Sequence, residues 1–278
     1  MVNLQLIDDW PVEHASAAVV SSDGSVLGTY GDQNRVYPLA SVTKMLTAYA
    51  VLIAVEEEAV TLDEPAGPEG STVRHLLAHA SGLAMSEDKT LGQPGGRRVY
   101  SNIGFEYLAA HVAEQSGFRF AEYVQEGLVD PLGMADTVIE GSPAAGASST
   151  VADLTRFAAE LQDPTLLHAS TVAEATSVAF PGLDGVLPGF GRQQPNDWGL
   201  GFEIRDGKNP HWTGGSSSPQ TYGHFGQSGT FIWVDPPAAL ACVVLTDRNF
   251  DTWAAKRWPA LTDAVLASAG ASTYSRPT

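Results

Sequence analysis

The 278-residue sequence contains one cysteine and only four lysines. Cys242 cannot form an internal disulfide bond, which excludes a fold held together by disulfides. It lies in the apolar segment 240–245, and apolar surroundings raise the pKa of a thiol. We therefore expect a core residue at this position and not a nucleophile. Because lysine is scarce, a lysine in an apolar segment is informative.

The sequence also lacks long hydrophobic runs. The longest nearly apolar run, 45–55, is shorter than the roughly 20 residues that a membrane-spanning helix requires. Residues 1–10 have neither the basic start nor the apolar core of a secretory signal. From these absences we expect no membrane span and a cytoplasmic location.

Positive charge is scarce as well, and the formal net charge is −17 at pH 7. Such a chain repels nucleic acids and anionic membranes, so we expect neither as a partner. The hydrophobic content of 44% is typical of a globular protein, and the length suffices for one large domain or two closely joined ones. The net charge favours solubility and indicates little more about function.

Hydrophobic patterning predicts strands at both ends of the chain and helices between them. Segments 15–20 and 25–30 are predicted as two strands joined at Asp23-Gly24, a strong hairpin signal. The other segments with strand character are 198–204, 221–225, 230–234 and 240–246. The segments with a helical pattern are 73–79, 104–116, 120–128, 151–161 and 251–269.

This order of elements predicts an α+β fold. We expect an antiparallel sheet built from N- and C-terminal strands, flanked by helices, with an inserted and mainly helical subdomain. A single domain would span 1–278, with an α/β part of about 1–60 and 180–278 and a helical part of about 61–179. A cleft between the two parts is the natural place for a site.

Lys44 stands in the otherwise uncharged and mostly apolar segment 37–53. Burying an ammonium costs several kcal/mol unless a partner stabilises it or its pKa falls. Ser41 precedes it by three residues and would share its helix face, with Cβ atoms roughly 5–6 Å apart. In the first turn of a buried helix, the dipole favours a serine alkoxide and burial lowers the pKa of the lysine. The pair is either catalytic or contains a lysine that reaches along apolar surface to solvent.

A second Ser-x-x-Lys pattern, Ser86 to Lys89, stands in a different context. It is followed by Gly92, Pro94 and Gly95, a composition typical of a solvated loop. A lysine costs little there, so this copy needs no functional explanation.

Two more segments carry candidate site residues. Tyr100 could carry protons if nearby positive charge lowers its pKa, and the Asn102 amide can both donate and accept. Alternatively, they are a buried tyrosine and a helix cap. In the segment 223–229, His224 could donate or relay a proton while Gly226 lets the backbone approach a ligand. The alternative there is a hairpin turn with a structural histidine.

Together, Ser41-x-x-Lys44, Tyr100-x-Asn102 and His224-x-Gly226 resemble the signature of the serine β-lactamase and penicillin-binding-protein superfamily. The pattern is similar to its class C-like branch, which includes D-Ala-D-Ala carboxypeptidases, D-aminopeptidases and serine carboxylesterases. The segments 76–83, 131–134 and 234–236 also resemble the family. The resemblance covers residues from about 15 to 248 and implies a β-lactamase-like catalytic domain.

The resemblance implies a role for each motif. Ser41 would attack a carbonyl, Lys44 and Tyr100 would share the proton transfers, and Asn102 would hold the lysine or a substrate amide. The oxyanion would be held by the backbone N–H groups of Ser41 and Gln227. An acyl-enzyme would form and water would hydrolyse it.

Phe225 departs from the family pattern and bears on the substrate. Relatives that bind a substrate carboxylate commonly carry a hydroxyl residue at this position, and a phenyl ring cannot donate a hydrogen bond. His224 in place of the alternative lysine reduces positive charge further. We therefore expect hydrolysis of a small ester or neutral amide, with β-lactamase, D-Ala-D-Ala carboxypeptidase or D-aminopeptidase activity as the alternative.

Three other classes of protein fit the sequence less well. An α/β-hydrolase needs Gly-x-Ser-x-Gly, and 226–230 lacks the final glycine. A zinc hydrolase might be built on His75 and His79, but the glutamate of His-Glu-x-x-His is replaced by Leu76, so we expect structural histidines. A catalytically inactive binding protein would have lost Ser41, Lys44 or Tyr100. We expect no metal and no cofactor.

Overall fold

A computed structural model describes residues 2–270 of the chain. Its strands are β1 (Ala15–Ser21), β2 (Val26–Tyr30), β3 (Tyr37–Pro38), β4 (Val138–Ile139), β5 (Ala147–Ser149), β6 (Gly185–Leu187), β7 (Gly191–Gln193), β8 (Glu203–Ile204), β9 (Tyr222–Gly226), β10 (Thr230–Asp235) and β11 (Leu240–Thr246). Its α-helices are α1 (Thr43–Glu56), α2 (Val73–Leu77), α3 (Ile103–Ser116), α4 (Phe120–Val124), α5 (Val151–Gln162), α6 (Ala169–Ala175) and α7 (Thr252–Ser268).

The main sheet combines strands from both ends of the chain in the order β2-β1-β11-β10-β9-β8. Its neighbouring strands pair antiparallel, for example Val19 with Cys242 and Ile232 with His224. The predicted α+β fold with a sheet assembled from the two termini is therefore confirmed. The N-terminal hairpin is confirmed too, and Gly24 in its turn has a φ of +79°.

Both faces of the sheet are covered, which explains why its central strands are apolar throughout. In β1, Ala17 and Val19 belong to a hydrophobic cluster that includes Trp258 of α7, while Ala18 and Val20 belong to a second cluster with residues of α1 and α5. Successive side chains of a strand point to opposite faces, so each strand contributes to both layers. Cys242 in β11 is fully buried and free, as its sequence context predicts.

The predicted strand over 198–204 is wrong except at its end, where β8 occupies Glu203–Ile204. The Gly199 N–H donates to the Phe202 carbonyl, which folds the intervening residues into a turn. At Gly201 the φ is +88°, and an added Cβ would lie 2.1 Å from the Cβ of Ala48. The turn thus packs directly on α1, which an extended strand could not do.

The region predicted as helical also contains strands. β3, β5 and β4 form a small antiparallel sheet in that order. Strands of two or three residues show no readable periodicity, which is why the pattern of the sequence does not reveal them. A π-helical turn over Gln125–Val129 follows α4, and α3, α5 and α7 match the predicted helices closely.

The division into an α/β part and a helical part stays a prediction. One helix of the predicted helical part, α5, packs against β1 and β11 of the main sheet. Within residues 2–270, no helix combines the length and the apolar character needed to cross a membrane.

Candidate active site

Ser41 lies in a 3-10 helix over Ala40–Val42, directly before α1. Ser41 therefore lies in a 3-10 turn that continues directly into α1, two residues before the α-helix begins. Ala40 adopts a φ of +46°, a conformation that costs energy for a residue with a Cβ. The preceding Leu39 is held on two sides, because its carbonyl accepts from Thr230 at 2.9 Å and its N–H donates to Ala147 at 2.8 Å. These contacts fix the backbone that presents Ser41.

Lys44 is completely buried in the first turn of α1. Its Nζ lies 3.4 Å from Ser41 Oγ, and it donates to Asn102 Oδ1 at 2.7 Å and to the Ala144 carbonyl at 2.9 Å. Burial lowers the pKa of Lys44 to about 7, while the Glu106 carboxylate acts in the opposite direction. Lys44 therefore lies in a polar pocket and does not extend to solvent.

Asn102 occupies the N-cap position of α3, yet its side chain makes no capping hydrogen bond. Its Oδ1 accepts from Lys44 instead. A helix N-terminus normally gains about 1 kcal/mol from a capping side chain. The interpretation of Asn102 as a helix cap is thus excluded by its contacts.

Tyr100 is half-buried beside this pair, with Lys44 Nζ 4.8 Å from the centre of its ring. Burial raises the pKa of Tyr100 well above its usual value, and a hydrogen bond with Ser41 opposes the shift only in part. The expected lowering by positive charge does not occur, because Lys44 itself loses its charge near pH 7. Tyr100 is therefore a neutral phenol at pH 7.

His224 on β9 faces the same phenol, with its Nε2 3.4 Å from Tyr100 Oη. Its Nδ1 is 2.7 Å from the Phe225 carbonyl. A carbonyl only accepts, so Nδ1 carries the proton of the neutral ring. Burial lowers the pKa of His224 to about 3, and Lys44 adds to that shift. Nε2 is consequently an acceptor for the Tyr100 hydroxyl.

Gly226 brings the end of β9 against the segment that carries Ser41. An added Cβ would lie 2.2 Å from the Leu39 carbonyl oxygen and 3.2 Å from the Ala40 Cβ, so only glycine fits. The next residue, Gln227, lines the cavity beside Ser41, and its side chain donates to the Phe250 carbonyl at 2.9 Å. Gln227 thus directly follows the point where β9 meets the segment that carries Ser41.

A cavity opens beside Ser41. Its walls are mostly apolar and combine residues from distant parts of the sequence. The lining residues are Ser41, Met85, Tyr100, Leu187, Pro188, Trp198, Glu203, His224, Phe225 and Gln227. Phe225 therefore contributes to the cavity, although its ring also packs on Phe250 and Trp258 in the cluster beneath α7.

Glu203 is the carboxylate of this cavity, and its charge is compensated internally. One oxygen accepts from Lys208, and the other accepts from Trp212 at 2.9 Å and contacts His211 at 2.8 Å. These partners hold the pKa of Glu203 well below its usual value despite its burial. Lys208 also donates to the Asp197 carbonyl at 2.5 Å. This buried pair is satisfied by the protein and presents no unpaired charge to a substrate.

His75 and His79 do not share a helix face, contrary to the sequence expectation. The helix α2 ends at Leu77, and His79 has a φ of +54°. The His75 ring stacks on Phe180, whereas His79 packs against Tyr100, with its Nδ1 accepting from the Ser101 N–H at 3.1 Å. Among residues 2–270, no three His, Cys, Asp or Glu side chains are grouped to hold a metal ion.

The structure thus brings Ser41, Lys44, Tyr100, Asn102 and His224 together at one site. It adds groups that sequence reasoning missed: the Ala144 carbonyl, the buried Glu203 pair and the cavity walls Met85, Leu187 and Trp198. A backbone carbonyl has no sequence signature, and the apolar wall residues look like ordinary core residues in the sequence.

Comparison with known proteins agrees with this geometry. The family model named Beta-lactamase matches residues 12–267. A β-lactamase from Mycobacterium bovis, known from its crystal structure, is 58% identical, with a TM-score of 0.94 over 96% of this chain and 98% of that one. The chain belongs to the β-lactamase family, and it is a serine hydrolase of this superfamily.

More distant relatives have other described activities. The D-alanyl-D-alanine-carboxypeptidase/endopeptidase AmpH of Escherichia coli (strain K12) is 27% identical over 175 residues, which is 45% of this chain and 46% of AmpH. The match thus spans about half of that relative. EstCE1, a hydrolase with promiscuous acyltransferase activity, is 17% identical with a TM-score of 0.78 over 94% of this chain and 95% of its own, which shows a shared fold.

Proposed function

We propose that this protein hydrolyses a small uncharged ester or neutral amide through an acyl-enzyme at Ser41. The observation that carries the proposal is the environment of Lys44. Its amine is buried, lies 3.4 Å from Ser41 Oγ, and has a pKa of about 7. A base is most effective when its pKa is close to the working pH. Lys44 meets that condition.

In the acylation step, Ser41 Oγ forms a bond to the substrate carbonyl carbon and its proton passes to Lys44 Nζ. Asn102 and the Ala144 carbonyl hold the resulting ammonium. Tyr100, a neutral phenol with its oxygen next to His224 Nε2, passes a proton to the oxygen or nitrogen of the leaving group as the carbonyl–leaving-group bond breaks. Lys44 replaces that proton on Tyr100, so the alcohol or amine departs neutral.

The negative charge that develops on the carbonyl oxygen needs hydrogen-bond donors. The backbone N–H groups of Ser41 and Gln227 are our candidates, since both residues line the cavity and Gly226 holds their segments together. Loss of one such donor typically costs about 2.7–4 kcal/mol of transition-state stabilisation. Water then attacks the acyl carbon while neutral Lys44 takes its proton. As the bond between that carbon and Ser41 Oγ breaks, Lys44 returns the proton to Oγ, which releases the acid and restores the free serine.

The preference for an uncharged substrate follows from the cavity walls. His224 is neutral at pH 7, and Phe225 presents a ring in place of a hydroxyl. Lys208 donates to the Glu203 carboxylate, so its positive charge is already paired. A substrate carboxylate would enter a mostly apolar space without a strong donor, which costs free energy.

Hydrolysis of a β-lactam or of a D-alanyl-D-alanine peptide is the second candidate. It is favoured by the 58% identity to the Mycobacterium bovis β-lactamase and by the activity described for AmpH. Both reactions would use the same serine and lysine, so the choice between the candidates depends on the cavity alone.

Turnover of p-nitrophenyl acetate, nitrocefin and a D-alanyl-D-alanine peptide by the same preparation tests this proposal. We expect ester hydrolysis to exceed the other two, and we expect Ser41→Ala to abolish it. Ser86→Ala is the matched control, because Ser86 belongs to the second Ser-x-x-Lys pattern and is exposed. Rapid nitrocefin turnover with inert esters would reverse the ranking, and full activity of Ser41→Ala would refute the mechanism.

A further inference from the structure

The backbone segment that carries Tyr100 is docked on the residues that follow α2. On one side of the tyrosine, the Arg98 guanidinium donates to the Ala78 carbonyl at 2.5 Å. On the other side, the Ser101 hydroxyl donates to the Ala84 carbonyl at 2.7 Å. Tyr100 thus stands between two points at which its segment is fixed.

His79 contacts this segment in three ways. Its carbonyl accepts from the Val99 N–H at 2.9 Å, and its Nδ1 accepts from the Ser101 N–H at 3.1 Å. Its ring packs against the ring of Tyr100, with 4.6 Å between the ring centres. One residue therefore contacts the residue before Tyr100, the residue after it and the tyrosine side chain itself.

A histidine at this position has two costs. Its φ of +54° is unfavourable for a residue with a Cβ. Burial lowers the pKa of His79 well below its usual value, so the ring is neutral. Because Nδ1 accepts, Nε2 carries the proton, and this buried Nε2 has no hydrogen-bond partner within residues 2–270. A phenylalanine would avoid the unpaired N–H but would leave the Ser101 N–H without its acceptor, so the acceptor explains the histidine better than packing does.

We propose that His79 is a positioning residue that holds the Tyr100 hydroxyl where it can protonate the leaving group. This inference rests on the proposed function, in which the proton moves from Tyr100 Oη to the leaving oxygen as the carbonyl–oxygen bond of the ester breaks. His79 exchanges no proton itself. A proton donor must lie roughly 2.6–3.2 Å from the atom that it protonates, so a displaced phenol slows this step.

Two esters with the same acyl group and different leaving groups test this role. p-Nitrophenolate departs without a proton, whereas an ethyl ester must release ethanol. Proton donation typically contributes about 10²–10⁴-fold to a rate, so Tyr100→Phe should lower the kcat/KM of ethyl butyrate, relative to that of p-nitrophenyl butyrate, about a hundredfold. His79→Phe keeps an aromatic ring but loses the acceptor, and it should lower the same ratio about tenfold through misplacement of the phenol.

His79→Asn should largely restore the ratio. Its amide oxygen can replace Nδ1 as the acceptor, and asparagine tolerates a positive φ. His75→Phe is the matched control, because the His75 ring stacks on Phe180, and the ratio should not change. A ratio within one preparation does not depend on the folded fraction. A wild-type ratio in His79→Phe, or an equal loss in His79→Asn, would overturn the inference.

Amide hydrogen exchange at Ser101 supplies a measurement that needs no turnover. The Ser101 N–H should exchange about tenfold faster in His79→Phe and stay protected in His79→Asn. Unchanged protection in both variants would overturn the inference. If exchange responds as expected but the wild type hydrolyses neither ester, the proposed reaction fails, while the placement of the Tyr100 segment by His79 stands.

Discussion

Lys44 Nζ lies 2.7 Å from Asn102 Oδ1, and this contact joins the first turn of α1 to the start of α3. The amide oxygen accepts a hydrogen bond from the amine in either protonation state. The neighbouring Ala144 carbonyl does the same at 2.9 Å. With two acceptors in place, the lone pair of neutral Lys44 remains for Ser41. The arrangement explains how a fully buried lysine serves as a base.

The rate of acylation should depend on the protonation of Lys44. Below its pKa of about 7 the amine carries a proton and cannot accept one from Ser41, so kcat/KM should fall as the pH decreases through 7. His224, with a pKa of about 3, titrates at too low a pH to cause this decrease in kcat/KM. Glu106 raises the pKa of Lys44, so Glu106→Gln should move the decrease to lower pH. A decrease at the same pH in that variant would contradict the assignment of Lys44 as the titrating base.

Lys44 should also make stability depend on pH. Its pKa is about 7 in the folded protein and 10.5 in the unfolded reference, so the unfolded state holds more protons between these values. The free energy of unfolding should therefore rise with pH from about 7 to 10.5, by several kcal/mol from this group. Urea unfolding of the wild type and Lys44→Met should show that difference in slope. Lys89→Met, which removes an exposed lysine, should keep the slope of the wild type.

Gly226→Ala should damage the site through the backbone. The new Cβ would meet the Leu39 carbonyl oxygen at 2.2 Å, so β9 would have to move away from the segment of Ser41. We expect kcat to fall about a hundredfold through loss of an oxyanion donor, and stability to fall by about 1–3 kcal/mol. Gly207→Ala, where no atom lies within 4 Å of the added Cβ, is the control and should be neutral. Equal activity of both variants would exclude the proposed role of this contact.

His224→Lys should change the substrate ranking. A cationic amine at this position adds attraction for a substrate carboxylate, which the neutral histidine does not provide. We expect the ratio of nitrocefin to p-nitrophenyl acetate turnover to rise about tenfold. His168→Lys makes the same substitution at an exposed site and should leave the ratio unaltered. If both variants gave the same ratio, a positive charge at position 224 would not determine which substrate is preferred.

Much of this fold is predictable from the sequence because its strands and helices have clear local patterns. The terminal strands are apolar, the Asp23-Gly24 turn marks a hairpin, and α7 carries its tryptophans on the buried side. The turn at Gly199 to Phe202 is not predictable in this way, since its apolar residues match a strand and only packing on α1 forces the bend.

In the candidate site, too, some features can be predicted from the sequence and others cannot. Ser41, Lys44, Tyr100, Asn102 and His224 carry chemically distinctive side chains at recognisable spacings. The Ala144 carbonyl that holds Lys44 belongs to the peptide backbone, which every residue has, so no pattern marks it. The raised pKa of Tyr100 likewise depends on burial, which the sequence around it does not specify.

The roles of Ser41 as the nucleophile and of Lys44 as the base that activates it have one direct test. Mass spectrometry after brief incubation with a fluorophosphonate, followed by proteolysis, locates the modified residue directly. We expect a single adduct on the peptide that contains Ser41. The adduct should be lost in Ser41→Ala, form at least a hundredfold more slowly in Lys44→Arg, and be unaffected in Ser86→Ala. An adduct on another residue, or equal labelling rates for wild type and Lys44→Arg, would contradict it.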